Sequence, residues 1–359
     1  MHVGVIGCGF AGLAAAIAFR QDGHDVTLFE RSGGIPDTSA AISLAPNALR
    51  CLELLGVRDL YGSTSMSLLP ATIRTDTGRI LIRRNLAQFA GGPEYCVVQR
   101  TRLLESLLSR LPTHCVRFST KVTAVHPSGE VDVDGTRHRF DLVIAADGVH
   151  SLCRRSLWPH DASPRRTGIT AWTWIVDRPL TEGYGAIWGR YAEFGILPLH
   201  DGQTYVWGGA RPGHADLDAY RGWSDPLPEL IDAVDPERLT TVELTEVPPP
   251  RRFANGSVVL IGDAAHAMRP LFGQGAALAM EDAITLVRGG VSQLFRRRHR
   301  MRALYWASRW GSLASMPKSH VLTSARNAAL RLAPDGLFAS SVGSVSRWSG
   351  PPGPERLNG

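Results

Sequence analysis

The hydrophobic pattern at the start of the chain is short, regular and broken by glycine. Val3, Val5 and Ile6 form one apolar run, Ala14 to Phe19 a helical one, and Val26, Leu28 and Phe29 a third. Short apolar runs bounded by glycine read as buried strands, and the longer run between them as a helix. Residues 2–30 are therefore expected to form a β-α-β unit, with Gly23 stopping the helix. Pro46 opens a short helix over Asn47 to Leu55, closed by Gly56. Residues 67–84 read as strands turning at Asp76-Thr77-Gly78. Leu103, Leu104, Leu107, Leu108 and Leu111 make one stripe of a helix spanning Val98 to Leu111. Strands are expected over 116–126, a hairpin turn at Asp134-Gly135, and a buried strand from Asp141 to Ala146.

Between 166 and 250 the pattern changes. Trp172, Trp174, Trp188, Tyr191, Phe194, Tyr205 and Trp207 alternate with β-branched residues, glycines and prolines, which predicts an antiparallel sheet. Pro248-Pro249-Pro250 marks its exit, and Ser257 to Ile261 is again a buried strand. Residues 292–335 read as helical, and the Ser-, Gly- and Pro-rich tail from about 340 as poorly ordered. The expected architecture is α/β: a Rossmann-like nucleotide domain interrupted by an antiparallel sheet domain, with C-terminal helices. Its parts are residues 1–66, 95–165 and 251–291 for the nucleotide domain, 67–94 and 166–250 for the sheet domain, 292–338 for the helices, and 339–359 for a flexible tail.

The 359 residues, 44% of them hydrophobic, suit a globular chain of two or so domains with a sizeable core. No apolar run reaches the roughly 18 residues of a membrane span, and the N-terminal apolar stretch is used as a strand rather than a signal peptide. The five cysteines show no C-x-x-C spacing, which points away from disulfide frameworks and zinc sites and toward the cytoplasm. The net charge of +6 is almost all arginine, since lysine occurs only at Lys121 and Lys318. The run Arg296 to Arg302 reads as a solvated helix face rather than a nucleic-acid patch. Its field can attract an anionic cosubstrate.

Three motifs carry the chemistry. Gly7-x-Gly9-x-x-Gly12 follows the first strand, and Glu30 ends the second. Gly7 permits a tight turn, Gly9 leaves room for a pyrophosphate, Gly12 lets the helix lie on the strand, and the carboxylate can accept from ribose hydroxyls. This segment alone leaves open which dinucleotide binds. The second motif is Asp147-Gly148-Val149-His150-Ser151 with Arg154 and Arg155. The third is Gly262-Asp263-Ala264-Ala265-His266, followed by Arg269-Pro270-Leu271-Phe272-Gly273-Gln274-Gly275-Ala276. There Asp263 can accept from a polyol, and a loop with two glycines opens a helix, Ala276 to Leu286, whose free N–H groups favour negative charge. His266 reads as structural. The chain carries one dinucleotide fingerprint, not two.

In this order the three motifs resemble the class A flavoprotein monooxygenases of the para-hydroxybenzoate hydroxylase fold, over about residues 2–335. Ala40-Ala41-Ile42-Ser43 with Pro46-Asn47, and Arg100 with Leu103 and Leu107, add to the likeness. The resemblance implies FAD as cofactor, with NAD(P)H as a transient cosubstrate that has no domain of its own. It implies that Gly7, Gly9, Ala11 and Gly12 hold the pyrophosphate, and that Glu30 takes the adenosine ribose with Arg31 alongside. Ser43 and Arg100 then lie along the cofactor, and the backbone near Val122 meets the adenine. Asp147-Gly148 serves pyrophosphate and NAD(P)H, Asp263 the ribityl chain, and Gly273, Gln274, Gly275 and Ala276 the ring edge.

The implied reaction is hydroxylation of a small aromatic or other electron-rich substrate by O2 through a flavin C4a-hydroperoxide. The aromatic residues of 166–210 are expected to wall the pocket. Arg269, Tyr205 and Glu193 are candidate substrate-pocket residues, although each has an ordinary packing explanation. Members acting on urate place an arginine near position 193, so Glu193 argues against that substrate. Epoxidation or Baeyer–Villiger insertion on the same fold is an alternative. A halogenase is disfavoured: Trp172-Thr173-Trp174-Ile175-Val176-Asp177 lacks the signature proline, and no lysine precedes Lys121. A non-catalytic flavin-binding protein is the remaining rival. Neither nucleic acid nor a membrane span is expected, and oligomeric state is left open.

Overall fold

The structure is a computed structural model that describes residues 1–57, 64–161, 163–199, 201–270, 273–333, 343–348 and 350. The chain opens with β1 (His2–Ile6), α1 (Phe10–Gln21) and β2 (Asp25–Phe29), the expected β-α-β unit. β3 (Ala41–Leu44) leads into α2 (Pro46–Leu54), where Pro46 sits in the first turn and its missing N–H costs nothing. β4 (Pro70–Thr75) and β5 (Ile80–Asn85) form a hairpin. α3 (Leu86–Ala90) follows, a helix inside the stretch expected to be sheet; Asn85 and Gln88 cap it reciprocally. β6 (Cys96–Gln99) pairs with β3, so the leucine-striped helix starts at Arg100 rather than Val98, as α4 (Arg100–Leu108).

β7 (Val116–Arg117) and β8 (Val122–Val125) are followed by β9 (Glu130–Val133) and β10 (Thr136–Arg139), which turn at Asp134-Gly135. Both turn residues are left-handed, φ 49° and 78°, as a two-residue hairpin turn requires. β11 (Leu142–Ala145) and α5 (Leu152–Leu157) close this half. Then come β12 (Arg165–Val176), β13 (Gly185–Trp188), β14 (Ala192–Pro198), β15 (Thr204–Ala210), α6 (Leu227–Asp232) and β16 (Thr240–Glu246). β17 (Ala254–Asn255), β18 (Val258–Leu260) and α7 (Asp263–His266) return the chain to the first layer. α8 (Gly275–Arg296, broken at Gly290), α9 (Arg298–Ser315) and α10 (His320–Leu332) complete it.

The first sheet has six strands in the order β17-β18-β11-β1-β2-β7, all parallel except the β17 edge. α1 is central: every residue from Phe10 to Phe19 is buried. Its small side chains let it lie very close to the strands. A Cβ on Gly12 would stand 1.8 Å from the Gly7 carbonyl oxygen.

The second sheet has seven strands in the order β16-β12-β15-β14-β13-β4-β5. It is antiparallel except where β13 runs parallel to β4, a non-local pairing that periodicity does not encode. Trp172, Trp174 and Phe194 sit on the face away from the nucleotide layer. There Trp172 stacks on Phe194, and Tyr220 and Trp223 close over them. Three of the aromatic residues expected to wall a pocket therefore build a second core, because the segment from Asp218 to Asp232 folds back over that face.

Glu281 and Asp282 in α8 are fully buried. Arg297 donates to both, at 2.6 and 3.3 Å, and Arg300 reaches Glu281 at 3.4 Å. The basic run is thus not simply a solvated face: at least two of its arginines turn inward to neutralise buried acids. Residues 343–348 also depart from the flexible-tail expectation. Arg300 donates to the Val345 carbonyl, Ser346 is buried, and Trp348 packs on the first core beside Arg297. Most of the remaining tail lies outside the described residues. Among the described residues no helix is long and apolar enough to cross a membrane.

Removing one partner of a buried ion pair leaves an uncompensated charge, which costs about 3–5 kcal/mol. Arg297→Met should therefore lower the thermal unfolding midpoint by many degrees, while Arg302→Met, on the exposed side of α9, leaves it nearly unchanged. Equal midpoints for the two variants in calorimetry refute the network.

Candidate functional site

The site forms where α1 and α8 pack together beside the first sheet. Gly262, φ 58°, lies between them: a Cβ there would be 2.7 Å from the Ala11 side chain and 3.2 Å from that of Ala279. Ala11 and Ala279 are both near the start of their helices, so the two N-termini open into one cleft. At the first of them, Gly7 has φ 101°, and a Cβ would collide with the Ala146 carbonyl at 2.5 Å. Nothing lies within 4 Å of the Cβ position at Gly9. The turn is therefore compressed at Gly7 and Gly12 and open at Gly9, the shape a backbone cradle for a phosphate requires.

Glu30 stands at the rim of that turn. Its carboxylate accepts from the Cys8 N–H at 2.9 Å and the Ser32 N–H at 2.8 Å. Each oxygen keeps lone-pair capacity for a further donor. Arg31 beside it is exposed. Val122 is buried in β8, and the nearby Thr120 N–H bonds the Glu30 carbonyl, so that strand adjoins the same rim.

Asp147 behaves differently. Its carboxylate accepts from the Ser151 hydroxyl at 2.5 Å and the Cys153 N–H at 3.1 Å, which fastens the start of α5. Its backbone abuts Gly7. Arg154 is a strut: it donates to the carbonyls of Ala264, Ala265 and Pro248. The second motif so braces the third.

At the third motif, the Asp263 side chain is reached by solvent yet hemmed in by protein. That crowding raises its pKa, against the pull of His266 and Arg100. Arg100 lies over the Phe10 ring at 5.5 Å, and burial lowers its pKa while Asp263 opposes that. His266 is buried with Nε2 2.5 Å from Asp282. Burial pushes its pKa down, but Asp282 and then Asp263 more than reverse this, so it ends above the ordinary value. It is a clip inside the fold, since Asp282 also accepts from the Gly262 N–H.

The loop before α8 is fixed from below. Gln274 is buried, and its side-chain oxygen accepts from Asn47, which also donates to Glu281 at 2.6 Å. Gly273, φ 61°, faces the Ser43 side chain, while the Cβ position at Gly275 is open. Ala276 is half-buried. Leu271 and Phe272 of this motif lie outside the described residues. The Asn47 side-chain oxygen is buried with no partner among the described residues.

Above this loop stands the near face of the second sheet. Tyr205 and Tyr95 neighbour one another, and the Tyr95 hydroxyl donates to Ser43 at 2.9 Å. Burial pushes Tyr95 up to about 12 and Tyr205 higher still, so both stay protonated. Trp207 covers Gly195, and Thr173 pairs beside Trp207. Glu193 pairs with Gly209 on the same face. Glu193 Oε2 and Thr173 Oγ1 are buried without partners among the described residues. Burial pushes the Glu193 carboxyl up to about 7, against the hydrogen bond from Ser315 and the charge of Arg326. Arg269 is held away: it donates to Glu246 at 2.9 Å, and Arg309 takes the other oxygen of that carboxylate.

Gly7, Gly9, Ala11, Gly12, Glu30 and Val122 thus gather around one end of the cleft, and Ser43, Arg100, Asp263 and Gly273–Ala276 around the other. Tyr95 and Asn47 adjoin this second end through Ser43 and Gln274. Pro46-Asn47 was visible only as part of a family-like segment, and Tyr95 carried no local signal. The open Cβ positions at Gly9 and Gly275 and the unpartnered Asn47 oxygen fit an extended dinucleotide running from one helix N-terminus to the other.

A two-layer fold with this cleft is suited to a dinucleotide cofactor. The family profile described as FAD binding domain matches residues 1–190 and 234–290, and the chain belongs to that family. It is an FAD-dependent monooxygenase of the class A aromatic hydroxylases, as the sequence resemblance implied. It is 32% identical over 304 residues to the FAD-dependent urate hydroxylase of Klebsiella pneumoniae, 79% of each chain. It is 32% identical over 313 residues to the 3-amino-4-hydroxybenzoate 2-monooxygenase of Streptomyces cremeus, 80% of this chain and 78% of that one. The structure of Klebsiella pneumoniae HpxO complexed with FAD and uric acid superposes with a TM-score of 0.85 at 28% identity, over 96% of both chains.

The geometry yields two expectations. Gly9→Ala meets no protein atom and should leave the cofactor-free protein within about 0.5 kcal/mol of the parent in thermal melts. Its FAD affinity should fall roughly tenfold, about 1.4 kcal/mol; unchanged FAD titration rules out the cradle. Glu193 is an acid whose folded pKa is raised, so its contribution to stability is full below about 4.5 and is lost as pH rises through about 7. Against Glu193→Gln, the parent should lose on the order of 2 kcal/mol between pH 5 and pH 8. A pH-independent difference between their melts contradicts the burial argument.

Proposed function

We propose that this FAD-dependent monooxygenase consumes NAD(P)H and O2 to hydroxylate a small, electron-rich aromatic held between Gly273–Ala276 and the near face of the second sheet. The observation that carries the reading is the pair of buried polar atoms on that face with no partner among the described residues, Glu193 Oε2 and Thr173 Oγ1, taken with the open Cβ position at Gly275 where α8 begins. Buried polar atoms without partners are rare in native folds, and a ligand is one explanation of them.

On this reading Gly7, Gly9, Ala11 and Gly12 hold the FAD pyrophosphate, and Asp147-Gly148 backs the turn. Glu30, with Arg31 alongside, takes the ribose, and the backbone near Val122 meets the adenine. Ser43 and Arg100 lie along the cofactor, Asp263 takes the ribityl hydroxyls, and Gly273, Gln274, Gly275 and Ala276 face the ring. The chemistry FAD supplies when bound is two-electron reduction by NAD(P)H and transfer of one oxygen atom from O2. The protein's part is position, field and dryness. The start of α8 sets partial positive charge where the reduced ring is anionic. Tyr205 and Trp207 exclude water. Glu193, poised near neutrality, accepts from a ring N–H or hydroxyl of the substrate and holds or releases a proton there. A carboxyl at this point, with Arg269 already bound to Glu246, favours a substrate edge that donates hydrogen bonds over an anionic one.

The test is a screen of phenolic, indolic and quinolone-like compounds for stimulated NAD(P)H oxidation, with the product mass confirming one added oxygen. Flavin-loaded protein that never oxidises NADH or NADPH faster with any candidate defeats the proposal. Asp263→Ala should weaken FAD retention by about 1.5–3 kcal/mol, tenfold or more in Kd. Undiminished flavin content after gel filtration removes Asp263 from the site.

A further inference from the structure

The positive charge of this chain is not spread over it. Between Asp282 and Asp335 the sequence carries ten Arg and Lys residues and no Asp or Glu. The whole chain has 39 basic and 33 acidic side chains, so the remainder has 29 against 33 and is net acidic. Within this segment Arg297, Arg300 and Arg309 are committed to Glu281, Asp282 and Glu246, while Arg296 and Arg302 are exposed.

The same segment presents an unusual share of exposed apolar surface. Val291, Phe295, His299, Arg302, Trp306 and Trp310 follow one another at steps of four, four, three, four and four residues. Arg297, the joint between α8 and α9, keeps a helical backbone (φ −70°, ψ −12°), so these residues form one outward stripe about 30 Å long. Phe295 is 45% exposed, Trp306 50% and Trp310 65%. A shallow groove of about 410 Å³ opens beside the stripe, lined by Phe253, Ala254, Val291 and Phe295 and flanked by Arg252 and Arg296.

We propose that this face of α8 and α9 docks peripherally on an anionic lipid bilayer, with Trp306, Trp310 and Phe295 at the headgroup level and Arg296, Arg302 and Arg252 on the lipid phosphates. Tryptophan, arginine and aliphatic side chains on one helix face, with no acid among them, is the composition of an interfacial helix. A second copy of the chain fits poorly. A two-fold interface is self-complementary and would bury this basic, acid-free face against its own copy, with no carboxylate to meet Arg296 and Arg302. A nucleic acid would match the cations but leave Val291, Phe295 and the apolar groove unfilled.

The test is flotation of the FAD-loaded full chain with vesicles of phosphatidylcholine alone or mixed with phosphatidylglycerol. Binding should be at least tenfold stronger to the mixed vesicles and weaken several-fold as salt is raised. Trp306→Ser/Trp310→Ser and Arg296→Glu/Arg302→Glu should each lose it while keeping the parent's flavin spectrum and thermal midpoint. Equal binding to both vesicle types, none to either, or retention by both double variants overturns the proposal. So does a dimer in analytical ultracentrifugation that the tryptophan variant dissolves, or tighter binding to duplex DNA than to the anionic vesicles.

Discussion

Two adjacent carboxylates, Glu281 and Asp282, are fully buried in α8, and the arrangement around the cleft follows from meeting that demand. A buried charge is tolerable only when paired and hydrogen-bonded. Arg297 and Arg300 supply the charge from the following helix. His266, the Gly262 N–H and Asn47 supply the hydrogen bonds, each from a different part of the chain. Asn47 in turn holds Gln274. One network thus sets the height of the Gly262-Asp263 turn, the position of the loop before α8, and the seat of the C-terminal helices. A residue that looks like a catalytic base, His266, is spent on this support.

A second constraint is steric. α1 reaches the sheet only because Gly12 has no side chain, and α8 reaches α1 only because Gly262 has none. These approaches bring two helix N-termini into one opening, where their unpaired N–H groups face outward. The near face of the second sheet has a different chemistry: aromatic at Tyr205 and Trp207, polar at Thr173 and Glu193, where Oγ1 and Oε2 have no partner among the described residues. The two layers differ in chemistry: backbone N–H groups and glycine turns on one side, aromatic and polar side chains on the other.

Charge follows the same division. The arginines of the C-terminal helices serve two purposes from adjacent positions. Arg297 and Arg300 point inward and neutralise α8, whereas Arg296 and Arg302 point outward beside exposed tryptophans. A helix turns through 100° per residue, so a contiguous basic run necessarily serves both sides. The run's composition says nothing about which arginine goes where.

The local turn chemistry was legible in the sequence, and so was the cofactor. Gly7, Gly9, Gly12 and Glu30 lie on one strand–turn–helix–strand unit, where the positive φ of Gly7 and the contact of Gly12 with Gly7 are local, and the Asp134-Gly135 turn likewise needs only its own φ angles. The two downstream motifs completed the family resemblance, and that resemblance implied FAD. What depends on side-chain direction across distant segments was not legible. The aromatic residues of the second sheet alternate between two faces, and only the return of Asp218 to Asp232 over one of them makes Trp172, Trp174 and Phe194 core rather than pocket wall. The capture of Arg269 by Glu246 and the burial of Glu193 Oε2 and Thr173 Oγ1 with no partner among the described residues are likewise decided by segments far away in the chain. Periodicity and glycine sterics are local and survive in one dimension. Charge pairing and burial are properties of neighbours in space, and only the folded chain assigns those neighbours.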